Sequence, residues 1–300
     1  MKSIREDLRV KGVLISDGGW GTFLVAKGMR VGECPELWNV TRPDDVLDIA
    51  QSYIEAGSDM ISTNSFGGTR LKLEHFGLAG RAAELNEAAA AISRKAAGPD
   101  KHVFASVGPT GKILMMGDVS EEAVYEAFKE QVKALERGGA DACVIETMSA
   151  IDEACLAIRA AKENTSLEVL CTFTFNKLPD GSYRTMMGVS PADMTAAVLA
   201  AGARIVGTNC GQGPNGMVGL VKEIRAAAGA EVPILVQPNA GLPVLRNGQD
   251  FFPETPAGMA AYVPGLIGAG ANILGGCCGT GPEHIRAIAE AARSAIGLGR

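Results

Sequence analysis

A short phrase recurs at points where a helical stretch gives way to an apolar strand, and it constrains the fold more than any other feature. A small residue and a glycine are followed by alanine or serine, then any residue, then an apolar or small residue; the copies span 56–60, 138–142, 201–205 and 269–273. Glycine commonly ends a helix because it adopts left-handed backbone angles without steric cost. Four copies therefore predict one repeating unit of strand and helix.

The whole chain continues this alternation. Eight β-rich runs are candidate strands: 13–15, 60–64, 103–107, 142–146, 169–175, 205–210, 234–239 and 273–277. Apolar residues at three- and four-residue spacing predict eight helices, at about 43–57, 81–97, 120–139, 150–164, 191–201, 214–229, 255–269 and 282–296. Helix start signals at Ser120, Ser190 and Pro282 support this assignment.

Eight such units predict a (β/α)8 TIM barrel, an α/β fold, as a single domain over residues 1–300. The 300 residues include 47% apolar residues and show no linker at which to divide the chain. An open, doubly wound sheet is the alternative. No dinucleotide-binding motif supports it. The glycine cluster at 18–21 could begin the motif G-x-G-x-x-G, but Leu24 occupies the position of its third glycine.

Charge and composition exclude several classes of protein. A net charge of −6 and a pI near 5.3 argue against a general nucleic-acid or anionic-membrane surface. The N-terminus lacks the apolar segment of a signal peptide, and no run approaches the length of a membrane span. We therefore expect a cytoplasmic protein, in which the seven cysteines are not a disulfide framework.

Three cysteines lie where strands of the predicted barrel end. Active sites of such barrels lie at the carboxyl ends of the strands, so Cys210 and the adjacent Cys277 and Cys278 should share one rim. Neighbouring cysteines rarely bond to each other and would point to opposite faces of a regular strand. Three thiolates with a fourth position open are typical of a catalytic zinc, so the sequence predicts one Zn²⁺ per chain. The other interpretation is three buried thiols that serve only as small apolar residues.

Two carboxylates end strands at the same rim, Asp17 and Glu146. Each taken alone is as compatible with a helix cap or a lysine partner as with a functional role. Facing a metal site, the two could hold the ammonium group of an amino-acid substrate. Backbone amides of the Gly18–Gly19 turn could then receive its carboxylate.

The strand ends together resemble the homocysteine S-methyltransferase family, most closely the homocysteine-binding barrel of cobalamin-dependent methionine synthases. The resemblance extends from about residue 10 to 295 and rests on an ordered set of motifs: Asp17-Gly-Gly-Trp-Gly-Thr22, Thr63-Asn-Ser-Phe-Gly67, Gly108-Pro-Thr-Gly111, Glu146-Thr147, Asn209-Cys210, Gln237-Pro-Asn-Ala-Gly-Leu-Pro243 and Gly275-Gly-Cys-Cys-Gly-Thr280.

This resemblance implies a methyltransferase that methylates homocysteine to methionine. It implies that Cys210, Cys277 and Cys278 hold zinc, with the homocysteine sulfur as the fourth ligand. It further implies that Asp17 and Glu146 bind the amino group of the substrate and that the Gly18–Gly19 turn binds its carboxylate. Asn239 stands where the family keeps a polar group beside the metal.

The methyl donor is the least constrained part of the prediction. The family's cobalamin-ligating stretch, Asp-x-His-x-x-Gly, does not occur in this sequence, so we expect any methyl-corrinoid to be carried by a separate protein. Relatives that use S-methylmethionine or betaine differ from the motif that begins at Gln237, a position more commonly occupied by Glu. Three alternatives stay open: those small donors, a demethylase that passes methyl from another donor to a corrinoid protein, and a non-catalytic module that binds zinc or an amino acid.

Overall fold

The protein is a (β/α)8 TIM barrel in a computed structural model that describes residues 3–246 and 249–297. Its eight parallel strands, β1–β8, are Leu14–Ile15, Met60–Ile61, His102–Val107, Ala142–Met148, Glu168–Phe173, Ile205–Asn209, Ile234–Gln237 and Ile273–Leu274. From β2 to β8 each strand pairs with the next one in sequence, and β8 pairs with β1. The amide of Asp59, just before β2, donates to the carbonyl of Ile15 and so closes the ring.

The eight predicted helices are confirmed, and one of them is divided. They are Pro43–Glu55, Ala82–Ala97, Glu121–Arg137, Ile151–Asn164, Pro191–Ala201, Pro214–Ala228, the pair Pro256–Ala261 and Val263–Ala269, and Pro282–Gly297. The division falls just before Pro264, which has no amide hydrogen to continue the hydrogen bonds of the first segment. The hydroxyl groups of Ser120 and Ser190 cap their helices as the sequence predicts.

Most strands are shorter than their apolar runs. The run predicted for the last strand ends at Cys277, but the strand ends at Leu274, and Cys210 likewise lies one residue beyond β6. The predicted list also omits two hairpins, one pairing Asn176–Lys177 with Tyr183–Arg184 and one pairing Val244–Arg246 with Gln249–Phe251. Both hairpins lie in loops at the carboxyl end of the barrel, where polar turns conceal short strands.

A helix that the sequence did not predict closes the opposite end of the barrel. This helix, Ile4–Lys11, begins with a reciprocal cap between Ser3 and Glu6. Ile4 and Leu8 pack against the apolar side chains inside the barrel: Leu14, Met60, Phe104, Ala142, Val144, Leu170, Ile205, Leu235 and Ile273. A second apolar layer fills the space between the strands and the outer helices.

No helix within residues 3–246 and 249–297 is long and apolar enough to cross a bilayer. The ends of the predicted 1–300 domain, residues 1–2 and 298–300, lie outside the described residues.

Candidate active site

The three cysteines predicted as metal ligands converge at the carboxyl end of the barrel. The sulfur of Cys278 lies 4.0 Å from that of Cys210 and 4.0 Å from that of Cys277, and all three sulfurs lie within 4.8 Å of one another. Two thiolates on one tetrahedral zinc, each about 2.3 Å from the metal, would be ~3.8 Å apart. The donor set and its spacing therefore fit a zinc ion.

Backbone geometry outside the strands produces this convergence. Cys210 adopts a left-handed conformation with a φ of 59°, which is uncommon for a residue other than glycine and which turns its side chain toward the barrel axis. Cys277 and Cys278 follow β8, so strand alternation does not separate their side chains. The amide of Cys277 donates to Pro238 O at 2.8 Å and fixes this loop against the end of β7.

The glycines around the paired cysteines serve two purposes. Gly279 alone among Gly275, Gly276 and Gly279 has a positive φ, 80°, which favours glycine at that position. Gly275 is required by space, since a Cβ would lie 2.0 Å from Ser16 Oγ. The loop is thus packed directly on the loop after β1.

The three thiols influence one another's ionisation because their sulfurs lie so close together. Hydrogen bonds from Cys277 and Cys278 lower the pKa of Cys210 far below its ordinary value, whereas the contact with Cys210 raises the pKa of Cys277 and raises that of Cys278 to about 12. The directions differ because three adjacent thiolates would repel one another. A divalent cation would remove that repulsion, which is a second reason that the site suits zinc.

Asn239 acts on the cysteines through its side chain. Its Oδ1 accepts a hydrogen bond from the amide of Cys278 at 3.1 Å, and its side-chain amide also stabilises the Cys210 thiolate. Asn239 is 4% exposed. The structure therefore places it beside the cysteines, in contact with two of them.

Asp17 is buried and has one oxygen without a partner. Its Oδ2 accepts hydrogen bonds from Trp20 Nε1 at 2.7 Å, from Ser62 N at 2.8 Å and from Ser62 Oγ at 2.7 Å. Its Oδ1 has no hydrogen-bond partner among the described residues. Burial raises the pKa of Asp17 to about 6. Such a carboxyl group is suited to accept a ligand donor, above all a cation.

Glu146 lies near the carboxyl end of β4, on the inner face of the barrel. Its Oε1 accepts a hydrogen bond from Ser106 Oγ, and Asn209 Nδ2 lies 3.4 Å from its Oε2. Burial raises the pKa of Glu146 to about 7. The next residue, Thr147, is the other non-glycine residue with a positive φ in the described chain, and its amide donates to Asn209 Oδ1 at 2.9 Å.

The Gly18–Gly19 turn is in close contact with the cysteine loop. A Cβ on Gly19 would lie 2.5 Å from Cys277 O, so only glycine fits. The amide of Gly19 donates to Thr280 O at 3.1 Å and to Thr280 Oγ1 at 3.0 Å. Of the two amides predicted to bind a carboxylate, that of Gly18 is the one without a protein acceptor among the described residues.

These groups surround one cavity of about 340 Å³. Its wall includes the three cysteines, both carboxylates and the segment 18–22, together with Trp20 and Phe66. Gln237 also lines it; this side chain is 5% exposed, and its Oε1 has no partner in the described chain. Buried polar atoms are normally paired, so the unpaired Asp17 Oδ1 and Gln237 Oε1 point to a polar ligand in this cavity.

Sequence reasoning assigned no role to the residues that orient the predicted ones. Ser62, Ser106 and Asn209 each bond a site carboxylate. Asn209 belongs to the motif Asn209-Cys210, whereas the only sequence signal for Ser62 and Ser106 was their position near strand ends. Cys143 and Cys171 are buried within β4 and β5, in keeping with a structural role. The thiol of Cys34 donates to Glu36, which lines the cavity, so Cys34 lies near the site without reaching it.

Comparisons with known proteins agree with this geometry. The sequence profile of the family described as homocysteine S-methyltransferase matches residues 14–292. Methionine synthase of Mycobacterium tuberculosis is 31% identical over 299 residues, which cover 95% of this chain, and that of Mycobacterium leprae is 31% identical over 295 residues. The chain spans only about a quarter of the length of these relatives.

Solved structures show the same fold. The homocysteine methyltransferase MmuM from Escherichia coli aligns in its oxidized form with a TM-score of 0.77 and 25% identity, covering 96% of this chain and 99% of that one. Its metallated form gives a TM-score of 0.78 at 24% identity with the same coverage. By its family profile and its relatives, the chain belongs to the homocysteine S-methyltransferase family of methyltransferase enzymes.

Proposed function

We propose that the protein binds one Zn²⁺ through Cys210, Cys277 and Cys278 and methylates homocysteine to methionine. One observation supports this most strongly: three converging thiols and two buried carboxyl groups face the same 340 Å³ cavity. The thiols suit a soft metal and the carboxyls suit an ammonium group, and homocysteine offers a thiol and an ammonium group on one small molecule.

The side chains of the cavity divide the work between the two ends of the substrate. When bound, Zn²⁺ would hold the substrate sulfur as a thiolate at neutral pH, where a free thiol is mostly protonated. Asp17 Oδ1 and Glu146 accept hydrogen bonds from the ammonium group, and the Gly18 amide donates to the carboxylate. The sulfur then forms a bond to the methyl carbon, while the bond from methyl to donor breaks and its electron pair stays on the donor.

Substrate binding also compensates the charge of the two buried carboxyl groups. Burial raises the pKa of Asp17 to about 6 and that of Glu146 to about 7, so neither is fully ionised near neutral pH. A bound ammonium ion favours the ionised form of both. Because a neutral apolar ligand gives no such compensation, the pair selects a cationic group.

The surface around the cavity favours a protein-bound methyl-corrinoid as donor. Apart from Val10, the large apolar side chains that are exposed in the described chain lie in segments between a barrel strand and the following one of the eight outer helices; they include Val31, Phe66, Met115, Met116, Met186 and Leu245. These segments form the rim of the barrel mouth. Exposed apolar surface at one rim is typical of a site where another protein docks. A small donor such as S-methylmethionine or betaine would not require such a surface.

Parallel assays test the proposal. The zinc content of the purified protein is measured, and homocysteine is then offered with methylcobalamin, S-methylmethionine or betaine in separate reactions. We expect about one zinc per chain and methionine formation that is fastest with methylcobalamin. Turnover with a small donor alone would replace the donor assignment. A protein that binds zinc but turns over with none of the three would favour the non-catalytic interpretation.

A further inference from the structure

We infer that Thr280 is a positioning residue that joins the zinc loop to the amino-acid loop, an inference that rests on the proposed function. The zinc loop is defined as residues 275–280 and the amino-acid loop as residues 17–22. Thr280 Oγ1 donates to Cys277 O at 2.7 Å and accepts from the amide of Gly19 at 3.0 Å. One buried hydroxyl, on a residue that is 2% exposed, thus bonds the backbone of a metal ligand and the backbone of the substrate turn.

Tyr53 reinforces the same junction from behind. Its hydroxyl lies 2.9 Å from Gly19 O and 3.1 Å from Thr280 O, within donating distance of one carbonyl on each loop. Tyr53 is completely buried on the helix Pro43–Glu55, and its ring is held edge-on by Phe23. A rigid outer helix therefore fixes the separation of the two loops.

Further contacts show that the loops form one packed unit. The amide of Gly276 donates to Asp17 O at 2.9 Å, and the amide of Gly279 lies 3.4 Å from Thr22 Oγ1. A Cβ on Gly18 would lie 2.9 Å from Thr280 Oγ1, and one on Gly276 would lie 2.4 Å from it. The hydroxyl is enclosed by backbone from both loops, so neither loop can shift without disturbing it.

This arrangement has a functional consequence. The substrate must span from a metal held partly by the zinc loop to carboxyl and amide groups of the amino-acid loop. Removing the Thr280 hydroxyl keeps every cysteine and aspartate side chain of the site. It removes the hydrogen bonds that fix the distance between the two loops that carry them. Both metal binding and substrate binding should therefore weaken from a change in a residue that contacts neither ligand.

Two binding constants test the inference in the whole 300-residue chain. The zinc dissociation constant is measured by competition with a chromophoric chelator without homocysteine, and homocysteine affinity is measured by calorimetry at saturating zinc. In Thr280→Val, which keeps the shape and removes the hydroxyl, we expect each constant to rise about tenfold, the factor for one net hydrogen bond. Thr280→Ser, which keeps the hydroxyl, should stay within about twofold of wild type for both.

Matched controls separate positioning from stability. Thr195 is also fully buried and donates to Pro191 O at 2.7 Å on a helix outside the site, so Thr195→Val should leave both constants unchanged. Tyr53→Phe supplies a second variant that should weaken both constants if Thr280→Val fails to fold. Wild-type values in Thr280→Val, or a rise in only one constant, would overturn the inference. A wild-type protein that binds neither zinc nor homocysteine would instead overturn the proposed function.

Discussion

At the scale of single residues, the candidate site depends on side chains whose pKa values the fold shifts. The three thiols shift one another's pKa values, and burial raises the pKa of Glu146 and Asp17. Unpaired charge buried together would be costly, so the proposed metal and ammonium group would compensate the charge of these side chains. Two experiments probe these groups separately.

Loss of one thiol should remove the metal. In Cys210→Ser the hard hydroxyl replaces a soft ligand, and we expect zinc content to fall from about one per chain to a small fraction after dialysis against a weak chelator. Metal analysis of the dialysed protein measures this. Cys155→Ser is the matched control, since Cys155 is a half-buried thiol on the helix Ile151–Asn164, away from the trio. Stoichiometric zinc in dialysed Cys210→Ser would contradict the assignment of that ligand.

The raised pKa of Glu146 predicts a pH-dependent stability difference. In the metal-free protein the pKa of this carboxyl is about 7, above its unfolded value, so its contribution to stability is present at acid pH and is lost as pH rises through 7. Glu146→Gln does not titrate. From pH 5 to pH 8 the free energy of unfolding of wild type should fall relative to the variant by on the order of 2–3 kcal/mol.

Urea unfolding of chelator-treated wild type and Glu146→Gln at the two pH values measures that difference. The variant keeps an oxygen that can accept from Ser106, so the comparison isolates the charge. If the free energy of unfolding changes with pH equally in the two proteins, Glu146 is already ionised at pH 5 and the prediction is wrong.

At the scale of elements, the helices and the order of strands were predictable and the loops were not. Apolar residues along 121–137 recur at helical spacing, which is sufficient to predict a helix, because a helix brings all of them onto one buried face. For most strands, the predicted end lies too far along the chain. The run that begins at Ile273 continues through Cys277, but only Ile273 and Leu274 pair with the neighbouring strand β7. The left-handed angles of Cys210 and Thr147 arise from contacts between loops distant in sequence, which no local pattern encodes.

The loops also carry the apolar rim, which gives an element-scale prediction. Met115, Met186 and Leu245 are 78%, 81% and 75% exposed on three different loops. Changing all three to Ser should slow methyl transfer from a corrinoid-bearing protein by about tenfold or more, because each loses apolar contact area. Transfer from free methylcobalamin and the affinity for homocysteine should change little.

Val10→Ser is the matched control for this surface change. Val10 is 66% exposed on the helix at the opposite end of the barrel, so its substitution should affect neither donor. An unchanged rate of methyl transfer from the protein-bound donor in the triple variant would show that the rim is not a docking surface.

At the scale of the whole molecule, the barrel separates stability from chemistry. The cavity and its polar groups lie at the carboxyl ends of the strands, while the helix Ile4–Lys11 seals the other end with apolar side chains. Barrels of this class place catalytic groups at one face and stabilising contacts at the other. A substitution in the seal should therefore reduce stability without reaching the site.

Ile4→Ala tests this separation. Ile4 is 1% exposed within the inner cluster, and truncating a buried isoleucine typically costs about 2–5 kcal/mol through lost burial and the cavity left behind. Its amide would still donate to Glu168 Oε2, so the helix stays anchored. Urea unfolding should show that loss, while zinc affinity and the KM for homocysteine stay at wild-type values at 25 °C. The control is Val10→Ala, on the exposed face of the same helix, which should change neither the stability nor the two site measurements. A rise in KM or a loss of zinc in folded Ile4→Ala would show that the two ends of the barrel are coupled.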